Sequence, residues 1–165
     1  MDRPFEVYAT TLGLPGSMWA KAHQRLEQAR QTTNKCKQAQ QDPPGEYRLL
    51  TALDYYLQAR STDNVYIQFL LMVFVVERLF KKRRDKGDTV RKRIRCFVPD
   101  YADDQLESDY KARNDLVHGP KRIIEPDEAG ELAERWSTIS TVILSRILTE
   151  DWQGELPNLD LPKDG

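Results

Sequence analysis

The sequence predicts an all-α fold, and three observations predict it. Apolar residues recur at intervals of three and four along most of the chain, which places them on one face of a helix. No run keeps up the strict apolar–polar alternation of a half-buried strand. Breaks at QDPPG (41–45), STDN (61–64) and Gly87-Asp88 cut the chain into lengths that suit helices. At 165 residues the chain fits one domain with one core. Its 39% hydrophobic and 31% charged residues suit soluble helices with long charged faces rather than disorder.

Taken in order, residues 1–16 hold Pro4, Gly13, Pro15 and Gly16 and read as an irregular lead-in. Ser17 is placed to cap a helix from Met18 to about Gln41, whose thin apolar stripe is Trp19, Ala22, Leu26 and Ala29. A second helix spans about Glu46 to Ala59 on Tyr47, Leu50, Leu53 and Leu57. STDN supplies caps for a third, about Val65 to Arg84, whose apolar first half belongs in the middle of a bundle. A short helix over Thr89–Phe97 ends at Pro99, and another starts near Ala102 or Asp103. That one ends at Gly119, read as a C-terminal left-handed glycine, with Pro120 barring continuation. Pro126, Asp127 and Glu128 suit the first turn of a last helix, which carries Leu132, Trp136, Ile139, Ile143 and Ile147 on one face to about Glu150. The expected division is 1–16 as lead-in, 17–45 as N-terminal helix and proline-rich break, 46–150 as the main helical domain and 151–165 as a loose tail.

The bulk numbers exclude several classes. A formal net charge of -1 gives no global pull toward nucleic acid, so any such partner must be drawn by a local patch. Cys36 and Cys96 lie far apart without CxxC spacing and read as reduced thiols in a cytoplasm. His23 and His118 are isolated and no HExxH occurs, so no metal site is expected. The Met1 end lacks a signal-peptide pattern. The longest apolar run, FLLMVFVV at 69–76, is too short to span a bilayer, so no membrane is expected as a partner.

Chemistry concentrates in YKARNDLVHGP, residues 110–120. On a helix Tyr110, Asn114 and His118 stack along one side, with Arg113 beside Asn114. Arg113 and His118 lie about 140° apart round an ideal helix. They converge on one ligand only if the helix end frays or a second chain supplies the matching residue. These residue types suit cleavage of an RNA phosphodiester, where the ribose 2′-hydroxyl attacks its own phosphate. A histidine can take the hydroxyl proton or protonate the leaving oxygen. An arginine brings a permanent charge and a fork that matches phosphate oxygens. An amide such as Asn114 can orient the histidine or donate to phosphate. The same residues also fit a plain helix end, with Arg113 a surface cation and His118 capping the last carbonyls.

YKARNDLVHG resembles the signature of the HEPN superfamily, the "higher eukaryotes and prokaryotes nucleotide-binding" domains: an Arg, four to six residues, then a His, with a polar residue commonly following the Arg. Arg113, Asn114 and His118 match it with the four-residue gap. The motif lies late in a helical domain before one long final helix, and FVVERLF puts Glu77 on an upstream apolar helix. The pattern is most similar to the Apea-like HEPN group. The resemblance covers roughly 46–150 and implies a helical bundle of the HEPN type, dimerised by two-fold symmetry so that two motifs face one cleft. It implies a metal-independent endoribonuclease with no cofactor. Arg113 would hold the scissile phosphate, His118 would handle the proton and Asn114 would orient. Glu77 would pair with Arg113 or stand as a helix-surface acid. Many relatives act in antiphage defence, toxin–antitoxin or RNA-processing systems, which implies an inhibitory or activating protein partner. One group carries a modifiable tyrosine two residues past the histidine; Pro120 stands there, so that regulation is not expected.

KKRRDKGDTVRKRIRCF adds a basic stretch with Lys81, Lys82, Arg83, Arg84, Arg91, Lys92 and Arg93, to which Lys111 joins from the motif helix. Phosphate contacts there would give RNA binding that is sequence-independent and salt-sensitive; the alternative is a solvated helix end and turn. Two functions follow: a homodimeric HEPN endoribonuclease, or a non-catalytic module of the same fold that binds RNA, a nucleotide or a protein. A further reading has the chain regulated within a larger assembly through Met18–Gln41.

Overall fold

The computed structural model describes residues 3–39, 45–82, 84–119 and 122–151, all-helical and without strands. Among these residues seven α-helices form: α1 Phe5–Leu12, α2 Trp19–Gln38, α3 Gly45–Arg60, α4 Val65–Phe80, α5 Gly87–Phe97, α6 Asp103–His118 and α7 Pro126–Thr149. A 3-10 turn, Gly16–Met18, joins α1 to α2. Most of the QDPPG break, Arg83, Pro120 and the tail from Trp152 lie outside the described residues. No helix among the described residues is long and apolar enough to cross a membrane.

Hydrophobicity sets the layers. α4 buries Phe69, Met72, Val73, Val75, Val76, Leu79 and Phe80, and packs chiefly between α3 and α7. α7 answers with Leu132, Trp136, Ile139, Ile143 and Ile147, the stripe read from sequence. Asn64 caps α4 by accepting from the amides of Tyr66 and Ile67 at 3.0 and 3.2 Å. Pro126 opens α7, with Asp127 and Glu128 in its first turn. On the far side α5 packs against α6, and both touch α4.

Within the irregular lead-in expected over 1–16, Phe5–Leu12 is instead a helix. Phe5, Tyr8, Ala9 and Leu12 of α1 are buried at helical spacing. The residues read as breakers are its boundaries. Pro4 precedes the first turn with φ −56°, and Gly13 closes the last in the left-handed region at φ 67°, its amide bonded to Ala9 and Thr10 carbonyls. α1 and α2 also do not stand apart from 46–150, because their buried side chains join one core. Tyr8 donates to Asp54 at 3.1 Å, and Arg25 donates to the Ile147 carbonyl at 2.7 Å. Burial, then the Asp54 carboxylate, pushes the Tyr8 hydroxyl up to about 12, so it remains a donor.

Two further expectations shift. Ser17 caps nothing; it lies inside the 3-10 turn, and Met18 holds the cap position of α2. α4 stops at Phe80 rather than Arg84, because Asp85 gathers the chain into a turn. Its Oδ2 accepts from the Lys82 amide at 2.8 Å and from Arg93 Nη1 at 2.5 Å. The third helix therefore ends soon after its apolar run, with Glu77 and Arg78 in its last turns.

A buried carboxylate ties α6 to α7. The Asp109 side chain is 2% exposed. It accepts from Arg135 Nε at 2.8 Å and Nη2 at 3.2 Å, from Trp136 Nε1 at 2.9 Å and from Gln105 Nε2 at 3.1 Å. The bonds to Asp109 raise the Arg135 pKa above its ordinary value. Asp109→Ala should lower the unfolding free energy by about 3 kcal/mol, since it strands a guanidinium and an indole N–H. Urea denaturation would show a lower midpoint at unchanged slope; a loss under about 1 kcal/mol would contradict the anchoring role.

Candidate functional site

The seat of the RN…H motif follows from how α6 lies on the bundle. Leu106, Asp109, Tyr110 and Ala112 are its buried residues. Arg113 stands three beyond Tyr110 and extends that stripe, so its side chain turns toward α4 and is only 14% exposed. The last turn leaves the core: Leu116 is half-buried, while Asn114, Val117 and His118 are exposed.

Arg113 is held from several sides. Its Nη2 donates to Glu77 Oε2 at 2.9 Å, and the Glu77 side chain is 13% exposed. Its Nη1 donates to Asn114 Oδ1 at 3.0 Å. Its guanidinium carbon lies 5.4 Å from the Phe74 ring centroid. Glu77 therefore takes the first of its two readings and pairs with Arg113, with Lys81 Nζ 3.9 Å from its other oxygen. The guanidinium Nε is buried without a hydrogen-bond partner, and so is the Tyr110 hydroxyl. Burial, then the charge of Glu77, pushes the Tyr110 pKa far up, so the phenol stays neutral against the pair.

His118 is the last residue of α6 and lines an open cleft of about 600 Å³ with Lys111, Asn114, Asp115, Gly119 and Arg122. Gly119 has φ 98° and ψ 132°, outside the left-handed helical region expected of it but still a backbone that favours glycine. Arg122 reaches this cleft from the loop and is clasped by Glu128 at 2.6 and 2.8 Å. Among the described residues, Arg113 is not part of the lining of the cleft that His118 borders. Asn114 links them, bonded to Arg113 and lining the cleft of His118. α6 stays helical through His118, so no fraying brings the pair together.

The basic stretch divides. Lys81, Lys82, Arg84 and Lys92 are exposed, and Lys111 is exposed 3.2 Å from Glu107. Arg91 is 13% exposed and pairs with Asp103 at 3.0 Å. Arg93 pairs with Asp85 and donates to the Phe80 carbonyl. These two cations hold α5 to its neighbours and do not belong to an open patch. Asp85 lies within the stretch and Asp103 just beyond it, and a count of cations does not reveal either pairing. Sequence reasoning also missed Arg48, Tyr55, Phe74 and Arg78, which with Glu77, Lys81 and Lys82 line a second cleft of about 560 Å³ between α3 and α4. The available signal was the spacing of Phe74, Glu77, Arg78 and Lys81 on one face of α4.

No group of three or more metal-ligating side chains occurs among the described residues. Comparison of the chain with protein families, with curated proteins and with solved structures finds no match. The fold and the site define an all-α bundle with a clamped arginine at the foot of its sixth helix and an exposed histidine at that helix's end.

The Glu77–Arg113 pair lies between two mostly buried side chains, so it should couple measurably. A double-mutant cycle of Glu77→Gln and Arg113→Gln on unfolding free energy should give a coupling of about 1–3 kcal/mol. A coupling near zero would mark the pair as no stronger than a surface contact. The turn at 82–85 makes a pH prediction. The Lys82 amide, then Arg93, holds the Asp85 carboxyl below its ordinary pKa. The turn is thus held fully above the ordinary carboxylate range and is loosened as pH falls through the lowered value. In an acid titration followed by NMR, the Lys82 amide resonance should move with the Asp85 carboxyl, at a pH below that of an unperturbed aspartate.

Proposed function

We propose that the protein is a homodimeric, metal-independent endoribonuclease of the HEPN type. The observation that carries this reading is the clamped Arg113. Glu77, Asn114 and Phe74 fix the guanidinium, yet each terminal nitrogen makes one hydrogen bond and keeps a second hydrogen. A pre-set cation with donors to spare is what a phosphate oxygen needs.

The substrate brings its own nucleophile. A ribose 2′-oxygen attacks the adjacent phosphorus, and the bond from phosphorus to the 5′-oxygen breaks. His118 takes the 2′ proton, and the His118 of a second copy protonates the leaving oxygen. The products are a 2′,3′-cyclic phosphate and a 5′-hydroxyl. Arg113 balances charge gathering on the phosphoryl oxygens. In the proposed dimer Arg113 of one copy meets His118 of the other across the two-fold axis, a pairing that α6, helical to its end, does not make within one chain. Two free cysteines, Cys36 and Cys96, fit a reducing cytoplasm. A role in antiphage defence or a toxin–antitoxin pair would add a protein that restrains or triggers the nuclease.

The separation of Arg113 from His118 within one chain favours a second reading, a non-catalytic module of the same fold that binds RNA, a nucleotide or a protein. Cleavage assays with EDTA present distinguish the two. On the nuclease reading the wild type cuts RNA to 2′,3′-cyclic ends, and Arg113→Ala and His118→Ala each lose about 100-fold or more. Mixing the two inactive variants should restore no activity, since a mixed dimer keeps only one His118 in the shared cleft and the step uses two. Intact RNA that still binds the wild type would favour the binding module.

A further inference from the structure

The cleft between α3 and α4 has a makeup that the motif does not require. Arg48, Arg78, Lys81 and Lys82 give it four cations, and Tyr55 and Phe74 give it two half-buried aromatic rings. The rings lie 6.3 Å apart, tilted by 56°, so they form an open angle rather than a closed stack. Glu77 is the one acid among these residues. Arg48 also donates to the Lys81 carbonyl at 3.4 Å, which ties α3 to the end of α4 across the cleft. The volume, about 560 Å³, falls within the range of small-molecule sites.

We propose that this cleft is a nucleotide subsite for single-stranded RNA, one unit away from the phosphate that Arg113 holds. The base rests against Tyr55 and Phe74, and its phosphate lies on Lys82 and Arg48. Glu77 accepts from the ribose hydroxyl or from an amino group of the base. The inference rests on the reading of the protein as one that acts on RNA.

Several observations support this ligand over others. A phosphopeptide would need the cations but not the rings, whereas a nucleotide joins a flat π-face to an anion. Paired bases are stacked inside a duplex and do not reach such rings, which selects a single strand. The cleft is also continuous with the arginine, because Phe74 and Glu77 line it and both contact Arg113. From there Asn114 leads on to the cleft of His118. A strand can therefore run from one cleft to the other past a single cation.

The test uses the full chain carrying His118→Ala, so that RNA survives, and measures anisotropy of a labelled single-stranded oligoribonucleotide. Adding Tyr55→Leu should weaken binding about tenfold, and Tyr55→Phe should restore it. An abasic strand of equal length should bind both alike. Lys82→Ala, at an exposed position that leaves the fold intact, should lower the slope of log affinity against log salt by about 0.7. Unchanged affinity in Tyr55→Leu overturns the subsite, and so does a loss confined to Lys82→Ala, which would mark a general anionic contact. Failures of the two readings are separable. If chains with His118 intact cut RNA with the same KM in wild type and Tyr55→Leu, the subsite is wrong and the nuclease stands. If Tyr55→Leu loses RNA binding while the wild type cuts nothing, the subsite stands and the nuclease does not.

Discussion

The carboxylate of Asp109 fixes the placement of everything that follows it on α6. An aspartate this deeply buried is tolerated only when its oxygens are fully matched. Arg135, Trp136 and Gln105 supply that match, two of them from α7. The carboxylate therefore sets both the rotation of α6 about its axis and its height along α7. Four residues later the same stripe carries Arg113, so the rotation that buries Asp109 also aims the arginine at α4. Tyr110 sits between them, its ring edge-on to Trp136 at 5.5 Å. The bundle thus orients the cation through packing and hydrogen bonds between α6 and α7.

The arginine then meets a surface arranged to hold it without using it up. One carboxylate oxygen, one amide oxygen and one ring face steady the guanidinium. Arg135 serves as a structural staple, with Nε and Nη2 both turned onto the one carboxylate of Asp109. A loosely held arginine would pay rotamer entropy on meeting an anion. Arg113 lies between these limits. Its buried Nε and the neighbouring Tyr110 hydroxyl are left without partners, a cost of about 1–3 kcal/mol each unless relieved. Polar atoms left in that state mark a place where packing has not been optimised for stability alone.

Much of this was legible in the sequence because helix periodicity is a local property. The stripes of α4 and α7 and the asparagine cap at 64 could each be read within a short window. The pairing of Arg113 with Glu77 spans 36 residues and was not legible that way, since the resemblance left Glu77 either a partner of Arg113 or a helix-surface acid. What escaped depends on which residues the fold brings together. Pro4 and Gly13 look like breakers until the buried quartet Phe5, Tyr8, Ala9 and Leu12 lies between them. Arg91 and Arg93 look like part of a basic patch until Asp103 and Asp85 come beside them. The α3–α4 cleft needed Arg48 and Tyr55 from one helix and Phe74 and Lys81 from another, and no window contains both.

The division of the basic stretch has a consequence for charge. The chain as a whole is near neutral, with 25 basic and 26 acidic residues. A surface of mixed sign gives little long-range attraction for an anion. Once α5 draws Arg91 and Arg93 onto acids, Lys81 and Lys82 remain exposed at the end of α4, and Arg48 and Arg78 join them from the sides of the cleft. The sorting follows from geometry: a cation on the inner face of an amphipathic helix must meet an acid, and one at a helix end need not. Local positive potential is thus concentrated beside Phe74 and Glu77, next to the arginine that Asp109 has aimed there. The charge that composition hides is placed by the same packing that orients the site.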